Sequence, residues 1–131
     1  DSTVKWVHNP VWAEGLGGSL AAGAASLDET SKGVLILLCD QWCLQTSDLQ
    51  ALASTWLADK QRIVLATANG QTMPPVIFPA SQFEQLKTLK GEQGAKGLIA
   101  KQLGLTSTVQ MPNAAFDLDK QEQLDQLLST P

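Results

Sequence analysis

The sequence predicts an α/β domain with a largely parallel sheet, and three observations predict it. Val34-Leu35-Ile36-Leu37-Leu38-Cys39 is continuously apolar between turn signals, as is Ile63-Val64-Leu65-Ala66. Short uninterrupted runs of this kind read as strands buried on both faces, the pattern of a parallel sheet. Between them, Leu49, Leu52, Ala53, Trp56 and Leu57 recur at helical spacing behind the cap candidates Thr46-Ser47-Asp48. Strands alternating with helices are the signature of this class.

Composition bounds the answer. The 131 residues suit one domain, residues 1–131. At 44% hydrophobic and 17% charged, the chain has material for a core and too little charge for a disordered tail. A net charge of -4 argues against a nucleic-acid partner. The longest apolar run, Val34 to Cys39, is far below the ~20 residues of a membrane helix. No secretion signal is visible, and two cysteines, Cys39 and Cys43, fit a reducing cytoplasm. Residue 1 is Asp rather than Met, so a processed, trimmed or partial chain is expected.

In chain order, Val4–Val7 reads as a short strand stopped by Pro10. Glu14 to Ser19 reads as a glycine-rich turn and Leu20–Leu27 as a helix of small residues. After the polar loop Asp28–Gly33 comes the strand Val34–Cys39, with Asp40 at its carboxyl end. A helix runs to about Ala58, a strand spans Arg62–Ala68, and Asn69-Gly70 turns the chain. The prolines of Pro74-Pro75-Val76-Ile77-Phe78-Pro79 demand extended backbone. Ser81 starts a helix carrying Phe83, Leu86 and Leu89 on one face and ended by Gly91. Gln93–Leu103 is a further helix with Ala95, Leu98, Ile99 and Leu103 inward. Thr108–Gln110 is a short strand, Phe116–Asp119 is extended, and Lys120–Leu128 closes as a helix.

In such sheets ligands bind beyond the carboxyl ends of the strands, which singles out Asp40. A carboxylate there can hold Mg²⁺, which keeps water and substrate phosphates as its other partners. Asp117 and Asp119 offer a second oxygen ligand, because alternate residues of an extended segment point the same way. The plainer alternative is a cap on the strand end. Gly15, Gly17, Gly18 and Ser19 could let backbone amides approach a base, ribose or phosphate, or could form an ordinary tight turn. Gly91-Glu92-Gln93-Gly94-Ala95-Lys96 could hold an anion, or be a helix-to-helix turn with Lys96 in solvent. The Cys39–Cys43 spacing is not a zinc pattern, and Cys39 reads as a small core residue. His8, the single histidine, supports no catalytic triad and reads as a loop residue. The Leu/Trp stripe of the helix after Ser47 reads as core.

Taken in order, Asn9-Pro10-Val11-Trp12-Ala13-Glu14-Gly15-Leu16-Gly17-Gly18-Ser19-Leu20, Leu37-Leu38-Cys39-Asp40-Gln41, Gly70 with Pro75 and Phe78, Gly91 to Lys96, and Asp117-Leu118-Asp119 resemble the molybdenum cofactor cytidylyltransferases. These sit within a wider nucleotidyltransferase group that includes the guanylyltransferase making molybdopterin guanine dinucleotide. The resemblance implies a three-layer, Rossmann-like fold and a cytoplasmic enzyme that joins CTP or GTP to molybdopterin with release of pyrophosphate. It implies Asp40 and Asp119 as the catalytic carboxylates and Mg²⁺ ligands, with Asp117 as an alternative. Gly15, Gly17 and Ser19 would then lie by the nucleotide, and Pro75, Gly91, Gly94 and Lys96 would shape the pterin side. The Trp-Ala-Glu-Gly segment leans toward cytosine. A client molybdoenzyme is a further implied partner.

The chain also departs from that pattern. No segment matches the family's opening strand or its glycine-rich triphosphate loop, so the 131 residues alone are expected to be inactive. The missing strand would leave an unpaired sheet edge, expected to be covered by a homodimer partner, a swapped element or repacking. Trp42 stands where Pro is usual, Met73 where Gly is usual, and Ala21 where Arg is common. These departures motivate an alternative, a non-catalytic module that binds a pterin or nucleotide or docks on a molybdoenzyme.

Overall fold

An apolar strand is stable only where neighbours take up its main-chain hydrogen bonds, and the strands here meet in one four-stranded sheet. The computed structural model describes residues 6–9, 16–91 and 95–116. Its elements are α1 (Leu16–Ala25), β1 (Gly33–Ile36), α2 (Thr46–Ala58), β2 (Ile63–Ala68), β3 (Gln71–Pro79), α3 (Phe83–Lys87), α4 (Lys96–Lys101) and β4 (Thr106–Gln110). Short 3₁₀ turns follow at Ala80–Gln82, Leu103–Leu105 and Pro112–Ala115.

The sheet order is β1-β3-β2-β4. β2 and β4 are parallel, whereas β3 runs antiparallel to both its neighbours. The sheet is therefore mixed, which corrects the expectation of a largely parallel one. The cause is Asn69-Gly70, whose φ angles of 53° and 76° make a tight hairpin turn. β3 consequently folds straight back on β2 instead of crossing over through a helix. Leu65 pairs with Val76 and Ala66 with Met73, so Pro74 and Pro75 occupy a break in the register. A proline there forfeits no ladder hydrogen bond.

Three layers result, as the sequence resemblance implied. On one face, Ile63, Leu65, Val76 and Phe78 pack with Ala24 of α1, Leu86 and Leu89 around α3, and Leu98 of α4. On the other, Val64, Ala66 and Ile77 pack with Leu52 of α2 and with Met111 and Ala114. Trp56 of α2 lies flat against the backbone of Gly33, where a Cβ would come within 2.6 Å of the indole. The Asp48 carboxylate accepts the Gln45 N–H (3.0 Å), which starts α2 among the residues expected to cap it.

Several boundaries differ from expectation. The strand expected over Val34–Cys39 is β1 alone, and it is an edge strand rather than one buried on both faces. Leu35 and Leu37 are 39% and 44% exposed, and Cys39 is exposed instead of belonging to the core. Hydrophobicity in that run expresses a demand for burial that the described neighbours meet on one side only. The helix expected over Leu20–Leu27 starts earlier and takes in Gly17, Gly18 and Ser19, so this part of the expected glycine turn is helical. Gly17 and Gly18 are buried, and the Gly17 N–H donates to the Gly91 carbonyl at 2.9 Å. Leu57 is exposed, so the core stripe of α2 is narrower than its spacing suggests. The helix expected over Gln93–Leu103 is confined to α4, with Leu98 buried and Ala95 and Ile99 packed against the core. Trp6 and Val7 form no strand and are exposed. The expected segments Asp117–Asp119 and Lys120–Leu128 lie outside the described residues, as do Val4 and Lys5.

Candidate functional site at the carboxyl end of β1

Past Ile36 the chain leaves the sheet and turns through Leu37–Leu44, and one buried side chain organises that turn. Gln41 Oε1 accepts the Leu38 N–H at 3.2 Å. Its Nε2 donates to the Pro74 carbonyl at 2.8 Å and to the Ala114 carbonyl at 3.0 Å. Backbone bonds from Gln41 N–H to Leu38 O (3.1 Å) and from Trp42 N–H to Asp40 O (3.0 Å) close the turn. A primary amide has two donors and one acceptor oxygen, and here all are used in a nearly dry place. The register break at Pro74-Pro75 is therefore more than an irregularity, since the Pro74 carbonyl is one of the three points Gln41 grips.

Asp40 stands in this turn, half-buried, four residues beyond the last residue of β1 rather than directly on its end. Its neighbour Trp42 packs edge-on against Phe116, with ring centroids 6.1 Å apart and planes at 65°. Phe116 is extended and precedes Asp117 in the chain. Asp117 and Asp119 lie outside the described residues, as do Gly15 and Gly94. Sequence reasoning had no means of finding the Gln41 clamp or the Trp42–Phe116 contact, because their partners are 33 to 74 positions away.

Beside the turn lies a largely apolar cleft of about 520 Å³. Leu38, Met73 and Pro74 form one side of it, and Leu20, Lys96 and Ile99 contribute from the helices. Pro75 is fully buried behind that wall. Lys96 is the first residue of α4 and is exposed. Gly91, with φ of 62°, holds the turn whose carbonyl receives Gly17. Ser19 is exposed, and its Oγ accepts from Asn9 Nδ2 at 3.1 Å. Of the residues singled out from the sequence, Pro75, Gly17, Gly91 and Lys96 thus surround the helix-facing cleft, and Asp40 lies in the turn two residues beyond its wall residue Leu38.

The two cysteines flank Asp40 and are both free. Burial pushes the Cys43 thiol up from its ordinary value. His8 is exposed in a loop, as expected. Among the described residues no helix is long and apolar enough to cross a membrane.

A three-layer mixed sheet with an aspartate turn beyond one strand and a cleft beside it defines a nucleotidyltransferase-type domain. The chain belongs to the family of MobA-like NTP transferase domains, whose model matches residues 1–107. It is 30% identical over 116 residues to the purine catabolism protein PucB of Bacillus subtilis strain 168, a match covering 86% of this chain and 55% of PucB. Its fold is similar to that of Rv0371c from Mycobacterium tuberculosis H37Rv, with a TM-score of 0.71 and 18% identity over 88% of this chain and 60% of the other. A homologue of Rv0371c from Mycobacterium sp. strain JC1 gives a TM-score of 0.70 at 20% identity over 85% and 56%. A structure of Rv0371c in complex with manganese gives 0.70 at 19% identity over 86% and 60%. The chain thus spans a little over half the length of these relatives.

Proposed function

We propose that the intact protein is a divalent-metal-dependent nucleotidyltransferase that joins CTP or GTP to molybdopterin and releases pyrophosphate. The observation that carries this reading is the Gln41-clamped turn, which fixes the backbone on either side of Asp40 beside an apolar cleft. Family membership supports the reaction class, and the manganese complex of Rv0371c is compatible with a metal at such a site.

The donor chemistry fits a hard cation. Among the described residues no group of three or more His, Cys, Asp or Glu side chains gathers, so no closed protein cage is formed. Mg²⁺ and Mn²⁺ suit a site with one or two carboxylates completed by water and phosphate oxygens. Asp40 is the described carboxylate for that role, and Asp119 or Asp117 would be the second. When bound, the metal neutralises charge on the reacting phosphates. The chain's own residues do the positioning. Gln41 holds the aspartate turn against β3 and the Pro112–Ala115 turn, so little reorganisation is left for the reacting state. Lys96 at the rim would attract an anionic group, and Met73, Pro74 and Ile99 would wall a flat apolar ring system. In this proposal Gly15, Gly17 and Ser19 lie by the nucleotide, and Pro75, Gly91 and Gly94 on the pterin side.

The test is dinucleotide formation by the intact protein with Mg²⁺, molybdopterin and either CTP or GTP. Asp40→Asn should lower kcat on the order of 100-fold or more while the fold is kept. Full activity in that variant would end the reading. Since the 131 residues span a little over half of their relatives, they are expected to be inactive alone.

A second reading is favoured by Trp42 and Met73. Trp42 is engaged with Phe116, and Met73 occupies cleft space. In that reading the domain binds a pterin or nucleotide without turning it over. Calorimetry separates the two, because nucleotide binding indifferent to both Mg²⁺ and Asp40→Ala supports the non-catalytic module.

A further inference from the structure

We propose that the outer edge of β1 is an acceptor for an extended apolar segment, supplied by the part of the relatives' length that these 131 residues do not span. The proposal rests on the sheet topology and is independent of the nucleotide reading.

Among the described residues β1 pairs with β3 alone, which leaves one row of its N–H and C=O groups facing outward. Natural sheets guard such an edge with charge, proline, a bulge or a short polar strand. Gly33-Val34-Leu35-Ile36-Leu37-Leu38-Cys39 has no charge and no proline, and no register shift interrupts its pairing with β3. The other edge of the sheet differs. β4 is Thr-Ser-Thr-Val-Gln with Thr108 and Gln110 exposed, and Arg62 donates to the Thr106 carbonyl (2.9 Å) and Ser107 Oγ (2.8 Å) at its start. One edge is thus dressed for solvent and the other is not.

The surface beside β1 is shaped for the same occupant. A cleft of about 330 Å³ lies between α1 and β1, lined chiefly by Leu20, Gly23, Ala24, Val34, Ile36 and Leu86. An added strand points alternate side chains to opposite faces. One set would fill this cleft, and the other would cover the exposed Leu35 and Leu37. The supply of such a segment follows from length. The chain corresponds to 55% of PucB and to 56–60% of the similar solved structures, so a large share of each relative remains to be packed somewhere.

Amide hydrogen exchange on the 131-residue chain, alone and with overlapping synthetic peptides covering the unmatched part of PucB, tests this. Strand addition is carried by main-chain hydrogen bonds and tolerates sequence divergence. Alone, amides of Val34–Ile36 should exchange far faster than those of Ile63–Ala66. One peptide should bind one to one and slow the outward amides by about tenfold or more. Leu37→Lys places a charge on the edge at an exposed position, so it should weaken that peptide about tenfold without lowering Tm. Three results would each overturn the proposal: no peptide protects β1, a monomer already protects it with its own residues, or a dimer of this chain protects it in the absence of peptide.

Discussion

β1 and β2 come from runs of similar composition, yet they have opposite fates. In β2, Ile63 to Ala66 are all 2% exposed or less, because β3 and β4 flank the strand and helices cover both faces. In β1, one neighbour and a shallow cleft leave Leu35 and Leu37 largely in solvent. The contrast teaches that an apolar run states a need for cover. Whether the need is met depends on strand order, a property of the whole sheet.

Substitution can break that contrast or sharpen it. Leu65→Ala should cost about 2–5 kcal/mol in urea unfolding, as expected for a filled core site. Leu35→Ala should cost less than about 1 kcal/mol. Equal losses would mean that β1 is covered as thoroughly as β2. Gln41→Leu comes next, at about 3 kcal/mol, because the Leu38 N–H and the Pro74 and Ala114 carbonyls lose their side-chain partner. Gly33→Ala should cost about 1–3 kcal/mol by driving a methyl into the Trp56 ring, and combining it with Trp56→Leu should recover part of that loss. The smallest effect concerns the two thiols past β1. At pH 8, mass spectrometry after brief alkylation should find Cys39 modified ahead of Cys43, which is less exposed and has a raised pKa. Folding favours the protonated Cys43 thiol. Stability tied to it is therefore complete below the ordinary thiol range and falls as pH rises toward the raised value.

The legibility of the chain follows from the range of each signal. Local ones were readable: Leu52, Leu86 and Leu98 declared themselves by spacing, Asp48 marked the start of α2, and Pro74-Pro75 required extended backbone. Strand direction was not, although its cause was local. Asn69-Gly70 was recognisable as a turn, but only the positive φ at both residues makes it a hairpin that reverses β3. The candidate site was half legible. Asp40 stood out by following an apolar run, whereas its support comes from Gln41, whose partners at Pro74 and Ala114 no spacing rule brings together.

That glutamine has a consequence for how the molecule opens. Its one amide ties the turn after β1, the proline break in β3 and the short coil near residue 114. Three stretches remote in the chain are thereby obliged to loosen together. Slow breathing should register at all of them at once, and a binding event that tightens any one should quiet the other two.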